Sequence, residues 1–221
     1  MMKSRIIIIG DIHGCFYSLK HLWDKIQPKY QDTIIFVGDY IDRGNHSFEV
    51  INFLREQKRK FPNLILLKGN HEDLCERAIK ENNVYLWYYN GGGATVNSFE
   101  EHNADWSGLL PFISSLPTFA KIEERKLVVV HANMPTALEP EDEEYENLIW
   151  SREFKNNSEY MIVCGHTRHK HPRIYVNPNE IICIDTGCVG GGELTAAVFD
   201  ESYHFPNFVS VEMDERDFGQ N

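Results

Sequence analysis

Three short segments concentrate residues able to bind metal or move protons. GDIHG (10–14), GDYIDRG (38–44) and GNHE (69–72) each place Asp, Asn or His beside a glycine, directly after an apolar run. Further along, His131 follows KLVVV, His166 follows MIVCG and Asp185 ends IICID. One such residue after a strand is ordinarily a cap or turn residue. Six strand exits of this kind in one chain point instead to ligands drawn to one place. Carboxylate, imidazole and amide oxygen together suit Mn, Fe or Zn better than Ca. No cysteine belongs to the set, which argues against a thiolate-based structural zinc site. The candidates outnumber the ligands one ion needs, and a carboxylate such as Asp39 can bridge two ions. Two ions about 3.5–4 Å apart form a clamp suited to phosphoryl chemistry.

These residues need rigid elements behind them. The apolar runs within 5–14, 33–44, 63–72, 126–133, 161–167 and 181–187 are continuous rather than alternating, as expected of strands buried on both faces. Helical spacing lies between the early strands: Phe16, Leu19, Trp23 and Ile26; then Phe48, Ile51 and Leu54; then Leu74, Cys75, Ala78 and Ile79. Alternating strand and helix predicts βαβ units and a largely parallel sheet at the start. FAKIEERKLVVVHA reads as a hairpin, and RIYV, IICIDTG, LTAAVF and FVSVEM follow with little helix between, so the second half is β-rich and the sheets are mixed. Ligands in such sheets gather where parallel strands end in loops. NGGGATVNSF (90–99) reads as a Gly-rich connection leading into a helix; it lacks the Lys-Ser/Thr ending of a nucleotide-binding P-loop. The tail DERDFGQN is expected to fray.

The chain has 221 residues, 42% hydrophobic and 25% charged, consistent with one soluble globular domain spanning 1–221. No apolar run approaches a bilayer span, and MMKSRIIIIGD is too brief for a secretory leader, so it reads as the first strand. A formal net charge of −11 argues against a non-specific nucleic-acid binder. Five cysteines without a CxxC pair fit a reducing cytoplasm. EPEDEEYE (139–146) reads as a solvated acidic loop, one that would disfavour polyanionic nucleotides if it lined a cleft.

Taken in order, GDIHG, GDYIDRG, GNHE, HAN (131–133), WSR (150–152), GHT (165–167) and DTG (185–187) resemble the PPP family of metallophosphatases, across most of the chain. The length resembles bacterial and bacteriophage serine/threonine phosphatases of the calcineurin-like superfamily. The resemblance implies an α/β metallophosphoesterase sandwich: two mixed β-sheets packed together and flanked by helices, with a dinuclear site at the C-terminal ends of strands. Asp11, His13 and Asp39 would hold one metal; Asp39 would bridge to a second, completed by Asn70, His131 and His166. A metal-bridging hydroxide would attack phosphorus in line. His71 would protonate the leaving oxygen, oriented by Asp42, and Arg43 and Arg152 would clamp the phosphate. The expected cofactors are two divalent cations, manganese first, with iron or zinc as alternatives. The expected partner is a phosphorylated protein or peptide, without nucleic acid or membrane, and the expected state is a monomer.

Two departures from the family pattern stand out. HAN replaces the usual HAG, bringing Asn133 towards the second metal, and DTGCVGGGEL puts Cys188 near the site, where a thiol would make activity sensitive to oxidation. Asp185 is expected to support a ligand rather than bind metal. The leading function is a phosphomonoesterase acting on phosphoproteins, and the alternative is a dinucleoside polyphosphate (diadenosine tetraphosphate) hydrolase; specificity must lie in 82–117 and 134–149. A nuclease or phosphodiesterase of the wider group fits less well, because those proteins carry a second histidine in GHxH where this chain has Arg168, and generally lack the DRG and WSR arginines. A catalytically dead scaffold is disfavoured because every expected ligand is present.

Overall fold

The computed structural model describes residues 4–200 and 204–218. Its first half alternates as the hydrophobic pattern predicts: β1 (Ile6–Ile9), α1 (Phe16–Ile26), β2 (Thr33–Phe36), α2 (Ser47–Lys60), β3 (Leu64–Leu66) and α3 (Asn70–Glu81). Three shorter helices follow, α4 (Tyr85–Tyr89), α5 (Gly92–Glu101) and α6 (Leu109–Ser114). The hairpin strands β4 (Phe119–Ile122) and β5 (Leu127–Val130) lead through α7 (Tyr145–Trp150) to β6 (Met161–Cys164), β7 (Arg173–Val176), β8 (Glu180–Cys183), β9 (Glu193–Phe199) and β10 (Asn207–Glu212).

The strands form two mixed sheets of order β10-β9-β1-β2-β3 and β4-β5-β6-β8-β7. In the first, β1, β2 and β3 are parallel and β9 returns antiparallel to β1; in the second, β5, β6 and β8 are parallel between antiparallel edges. Six parallel strands therefore end on one side of the two sheets, three in each.

The four isoleucines of β1 show why the strand runs do not alternate. Ile7 and Ile9 face a core shared with α1 to α6, while Ile6 and Ile8 face the second sheet, packing with Val129, Val163 and Ile182. Both faces are dry, so both are apolar. The far side of the second sheet is covered by α7 and irregular chain, with Leu148, Ile149 and Met134 over Val130, Ile162 and Cys183. The helical layer is thus thick on one side and a single short helix on the other.

Four local expectations need correction. The glycine-rich segment does not precede its helix as a connection but is helix from Gly92 onward, and Gly92 lies against the Trp87 indole with no room for a side chain. Ile79, predicted on the buried stripe of its helix, is 40% exposed. The tail is anchored through Asp217, which is fully buried and accepts from the backbone N–H groups of Tyr17 (2.8 Å) and Ser18 (2.8 Å). These are first-turn donors of α1 that have no partner within the helix, and a carboxylate also suits the helix dipole there. Residues 219–221 of that tail lie outside the described residues. In the acidic run, Glu143 is buried and accepts from Thr136 N, Ala137 N and Asn147 Nδ2.

Helix α3, which carries the candidate ligand Asn70, is pinned by a buried ion pair. Lys68 Nζ lies 2.6 Å from Glu76 Oε2, and Lys80 and Ser114 bond the other carboxylate oxygen. Burial alone would raise the Glu76 pKa; Lys68, Lys80 and Ser114 outweigh it and hold it at about 2. A carboxylate held below its unfolded value stabilises the fold above that value, and the contribution is lost as pH falls from about 4.5 towards 2. Glu76→Gln leaves Lys68 buried beside a neutral group, and urea unfolding should show a loss of about 2–3 kcal/mol at pH 7. The difference from wild type should shrink as pH falls through that window; a difference independent of pH would show that the pair does not act this way.

Candidate metal centre

Backbone ladders continue past the strand ends and draw the exits together. Ile12 N and His13 N both donate to Asp39 O, and Gly165 N donates to His131 O. Asp39 lies at the centre. His13 Nε2 is 3.3 Å from Asp39 Oδ2 and His131 Nε2 is 3.5 Å from Oδ1, while His71 N donates to Oδ1 at 3.0 Å. The opposite exit binds back: His166 N donates to Asp11 Oδ2 at 3.0 Å. Glycine is required at two of these approaches, since a β-carbon at Gly69 would overlap the Asp39 carboxylate and one at Gly165 the Asp11 carboxylate.

The loops are strained to achieve this. His13, Asp39, Asp42, Arg43 and His166 all have positive φ, between 48° and 73°, where an ordinary L-residue costs about 1–2 kcal/mol. Such residues cluster where function demands a fixed geometry.

The imidazole tautomers follow from their partners. His13 Nδ1 bonds Ile41 O (2.9 Å) and His131 Nδ1 bonds Val37 O (3.1 Å). A carbonyl can only accept, so both rings carry hydrogen on Nδ1 and present the Nε2 lone pair to the centre. Burial lowers the pKa values of His13 and His131 and brings that of His166 down to about 3. His131 Nε2 then faces Asn70 Oδ1 at 2.9 Å, and His166 Nδ1 faces the same oxygen at 2.9 Å. Asp11 Oδ1 is buried with no hydrogen-bond partner. Burial opposes ionisation of Asp39, but the surrounding His131, His71 and His13 and the His71 backbone N–H outweigh it and hold the carboxyl below its usual range. Lone pairs and negative oxygens facing one another in a dry site repel unless a cation lies among them. The donor set therefore fits divalent metal. Two tight groups, His13–Asp39–His71 and Asp39–His131–His166, have ligand atoms within 4.8 Å of one another, and Asp39 belongs to both. Asp11 belongs to neither group and lies beside them on the cleft wall.

Behind the ligands lies a dyad. His71 Nδ1 is 2.7 Å from Asp42 Oδ2, with both side chains buried. Burial depresses the His71 pKa, but Asp39 and Asp42 more than offset this and raise it overall. Arg43 spans the centre, donating from Nη1 to His13 Nε2 and from Nη2 to His71 Nε2, each at 2.8 Å.

Three residues that sequence reading left without a role brace the site. Trp87 Nε1 donates to both oxygens of Asp42 at 2.9 Å, and Thr95 Oγ1 donates to Oδ1 at 2.6 Å. Glu72 accepts from the backbone N–H groups of Gly69, Asp39 and Tyr40, tying the second and third exits together. Glu72 was legible within GNHE. Trp87 and Thr95 were not, because nothing in 82–117 marks which aromatic turns inward.

The centre opens into a cleft of about 450 Å³ whose wall includes Asp11, His13, Arg43, Arg152, His166 and Arg168. Arg152 faces this cleft rather than the outside of a helix. Asp185 and Cys188 also line it; Asp185 Oδ1 accepts from Gly187 N at 2.9 Å, and Cys188 is a free thiol beside the buried, equally free Cys15. Asn133 does not reach in: its Nδ2 donates to Glu153 O and Lys155 O, fastening the segment after Arg152. Nor does the acidic run line the cleft; Glu139 pairs with Lys121 and Glu146 with Arg77.

Two mixed sheets with a buried carboxylate–imidazole centre at the ends of their parallel strands define a metal-dependent phosphoesterase fold. A calcineurin-like phosphoesterase family model matches residues 4–194, and the chain belongs to that family of phosphate-ester hydrolases, which use a dinuclear divalent metal site. The chain is 32% identical over 201 residues to serine/threonine-protein phosphatase 1 of Salmonella typhimurium, covering 86% of this chain and 89% of that protein. It is 29% identical over 230 residues to the bis(5'-nucleosyl)-tetraphosphatase PrpE of Anoxybacillus flavithermus, covering 88% and 90%. The crystal structure of a candidate diadenosine tetraphosphatase superposes with a TM-score of 0.73 at 22% identity, covering 96% and 94%, and supports the fold alone.

Asp39→Asn removes the charge shared by both ligand groups. Metal analysis after dialysis against Mn²⁺ should show most bound metal lost, with the far-ultraviolet circular dichroism retained. Full metal content in the folded variant would contradict the shared role.

Proposed function

We propose that the chain, as one catalytic domain over 1–221, is a metal-dependent phosphomonoesterase that removes phosphate from serine and threonine side chains of proteins. The observation that carries the substrate class is the 32% identity, over most of both chains, to a serine/threonine-protein phosphatase. Asp11, His13 and Asp39 would hold one cation, and Asp39, Asn70, His131 and His166 a second, manganese being the reading for both. When bound, such ions neutralise phosphate charge and lower the pKa of water towards neutrality. His71 would carry the proton for the leaving oxygen on Nε2 once Arg43, which donates to that nitrogen here, turns to the phosphate; its Nδ1 is fixed on Asp42. Asp42 holds that ring in register and is itself held by Trp87 and Thr95. Arg43 and Arg152, both on the cleft wall, bind the phosphate oxygens. The protein is read as a cytoplasmic monomer. Five free cysteines accord with a reducing compartment, two of them with sulfur atoms 3.5 Å apart yet unbonded, and no helix among the described residues is long and apolar enough to cross a membrane.

A second reading, hydrolysis of dinucleoside polyphosphates, is favoured by the PrpE relatives and by the acidic run lying off the cleft, where it opposes no polyanion. With Mn²⁺-loaded protein, kcat/KM for a phosphoserine peptide should exceed that for diadenosine tetraphosphate; a large reversal would favour the second reading.

The acid role has its own signature. His71→Asn should lower kcat about 100-fold or more on the phosphoserine peptide, whose alkoxide leaving group needs a proton. The loss on p-nitrophenyl phosphate, which leaves without one, should be far smaller. Trp87→Phe should follow the same leaving-group pattern with about a 10-fold loss and move the pH–rate profile. Equal losses on both substrates would sink the acid assignment.

A further inference from the structure

RHKHPR, residues 168–173, is a basic run in a chain of net charge −11. Its first residue, Arg168, lines the cleft with Arg43 and Arg152. It also lines an adjoining basin of about 700 Å³, together with His169, Lys170 and His171. Arg168 therefore stands on the ridge between the metal centre and a second space beside it.

The loop after Asp185 is shaped around this side chain. A β-carbon at Gly187 or Gly190 would overlap the Arg168 side chain, and Arg168 Nη2 donates to Gly190 O at 3.3 Å. Asp185 on the same cleft wall feels the charge of Arg168 but forms no ion pair with it. Arg5, Arg77 and Arg216 each pair with a carboxylate, whereas Arg168 has no ion pair with a described residue. His169 is committed to Thr167 O and Tyr175 Oη, but Lys170 is exposed on the basin. Glu193 and Glu212 also line the basin, so the favourable field for an anion is strongest on the ridge.

Arg43 and Arg152 already serve one phosphate, so a third guanidinium in the same cleft is surplus to a single phosphomonoester. We propose that Arg168 binds a second phosphate group next to the one hydrolysed, so that the preferred substrates carry two phosphates in close succession. This rests on the phosphatase reading above and narrows its substrate class. The shared chemistry is a neighbouring phosphate dianion or phosphoanhydride; its source is either a doubly phosphorylated peptide or the polyphosphate chain of a dinucleotide.

The test compares wild type with Arg168→Gln, both Mn²⁺-loaded, on three substrates: a phosphoserine peptide, the same peptide with a second phosphoserine two residues away, and diadenosine tetraphosphate. Wild type should favour at least one of the two-phosphate substrates over the singly phosphorylated peptide. The variant should lose about 10-fold in kcat/KM on the favoured substrate, the scale of a charge-assisted hydrogen bond, and much less on the single phosphate. Whichever two-phosphate substrate suffers identifies the source. An equal loss on all three, or no wild-type preference, overturns the proposal while leaving the phosphatase reading intact. Should wild type hydrolyse none, the phosphatase reading fails, and calorimetry with inorganic tripolyphosphate and orthophosphate decides the subsite. Weaker tripolyphosphate binding by the variant, with orthophosphate little changed, would support it; equal affinities for wild type and variant would overturn it.

Discussion

A buried carboxylate surrounded by imidazoles is the constraint on which the rest of the structure depends. Asp39 is 2% exposed and has His13, His71 and His131 against it. Such a group is tolerable inside a protein only if every charge near it is placed to compensate. The arrangement of two sheets meets that demand by bringing the ends of six parallel strands to one side, each contributing one polar residue or a short cluster of them. The dry apolar layer between the sheets, built from Ile6, Ile8, Val129, Val163 and Ile182, fixes their spacing and so fixes the spacing of the candidate ligands.

Holding the exits costs free energy. Five site residues sit at positive φ, and together they oppose folding by several kcal/mol at about 1–2 kcal/mol each. That cost is offset by groups outside the ligand set. Glu72 gathers backbone donors from two exits, Asp217 closes the first turn of α1, and the Lys68–Glu76 pair ties α3 to its neighbours. The same logic extends outward from His71: Asp42 orients it, and α4 and α5 orient Asp42 through Trp87 and Thr95.

Much of this was legible in the sequence, for reasons that are local. Strands dry on both faces must be apolar throughout, so IIII, TIIF and LVVV read directly as strands, and ligands placed straight after them need no long-range information. What was not legible depends on distant segments meeting. Asp217 lies 199 residues from Ser18, and nothing in DERDFGQN marks it as a cap for the first helix. α4 is five residues, YLWYY, too short for a period to separate the inward Trp87 from the exposed Tyr85 and Tyr89. Asn133 was expected towards the second metal because of its position beside His131. Its amide nitrogen instead donates to the backbone carbonyls of Glu153 and Lys155, in the segment just after Arg152. The acidic run was read as solvated, and most of it is, but Glu143 turns inward to close a loop whose backbone donors need an acceptor.

The convergence on Asp39 is tested most directly by anomalous diffraction at the manganese edge from crystals grown with Mn²⁺. Two peaks about 3.5–4 Å apart with the Asp39 carboxylate between them are predicted. A single peak, or two peaks that leave Asp39 unliganded, would contradict it.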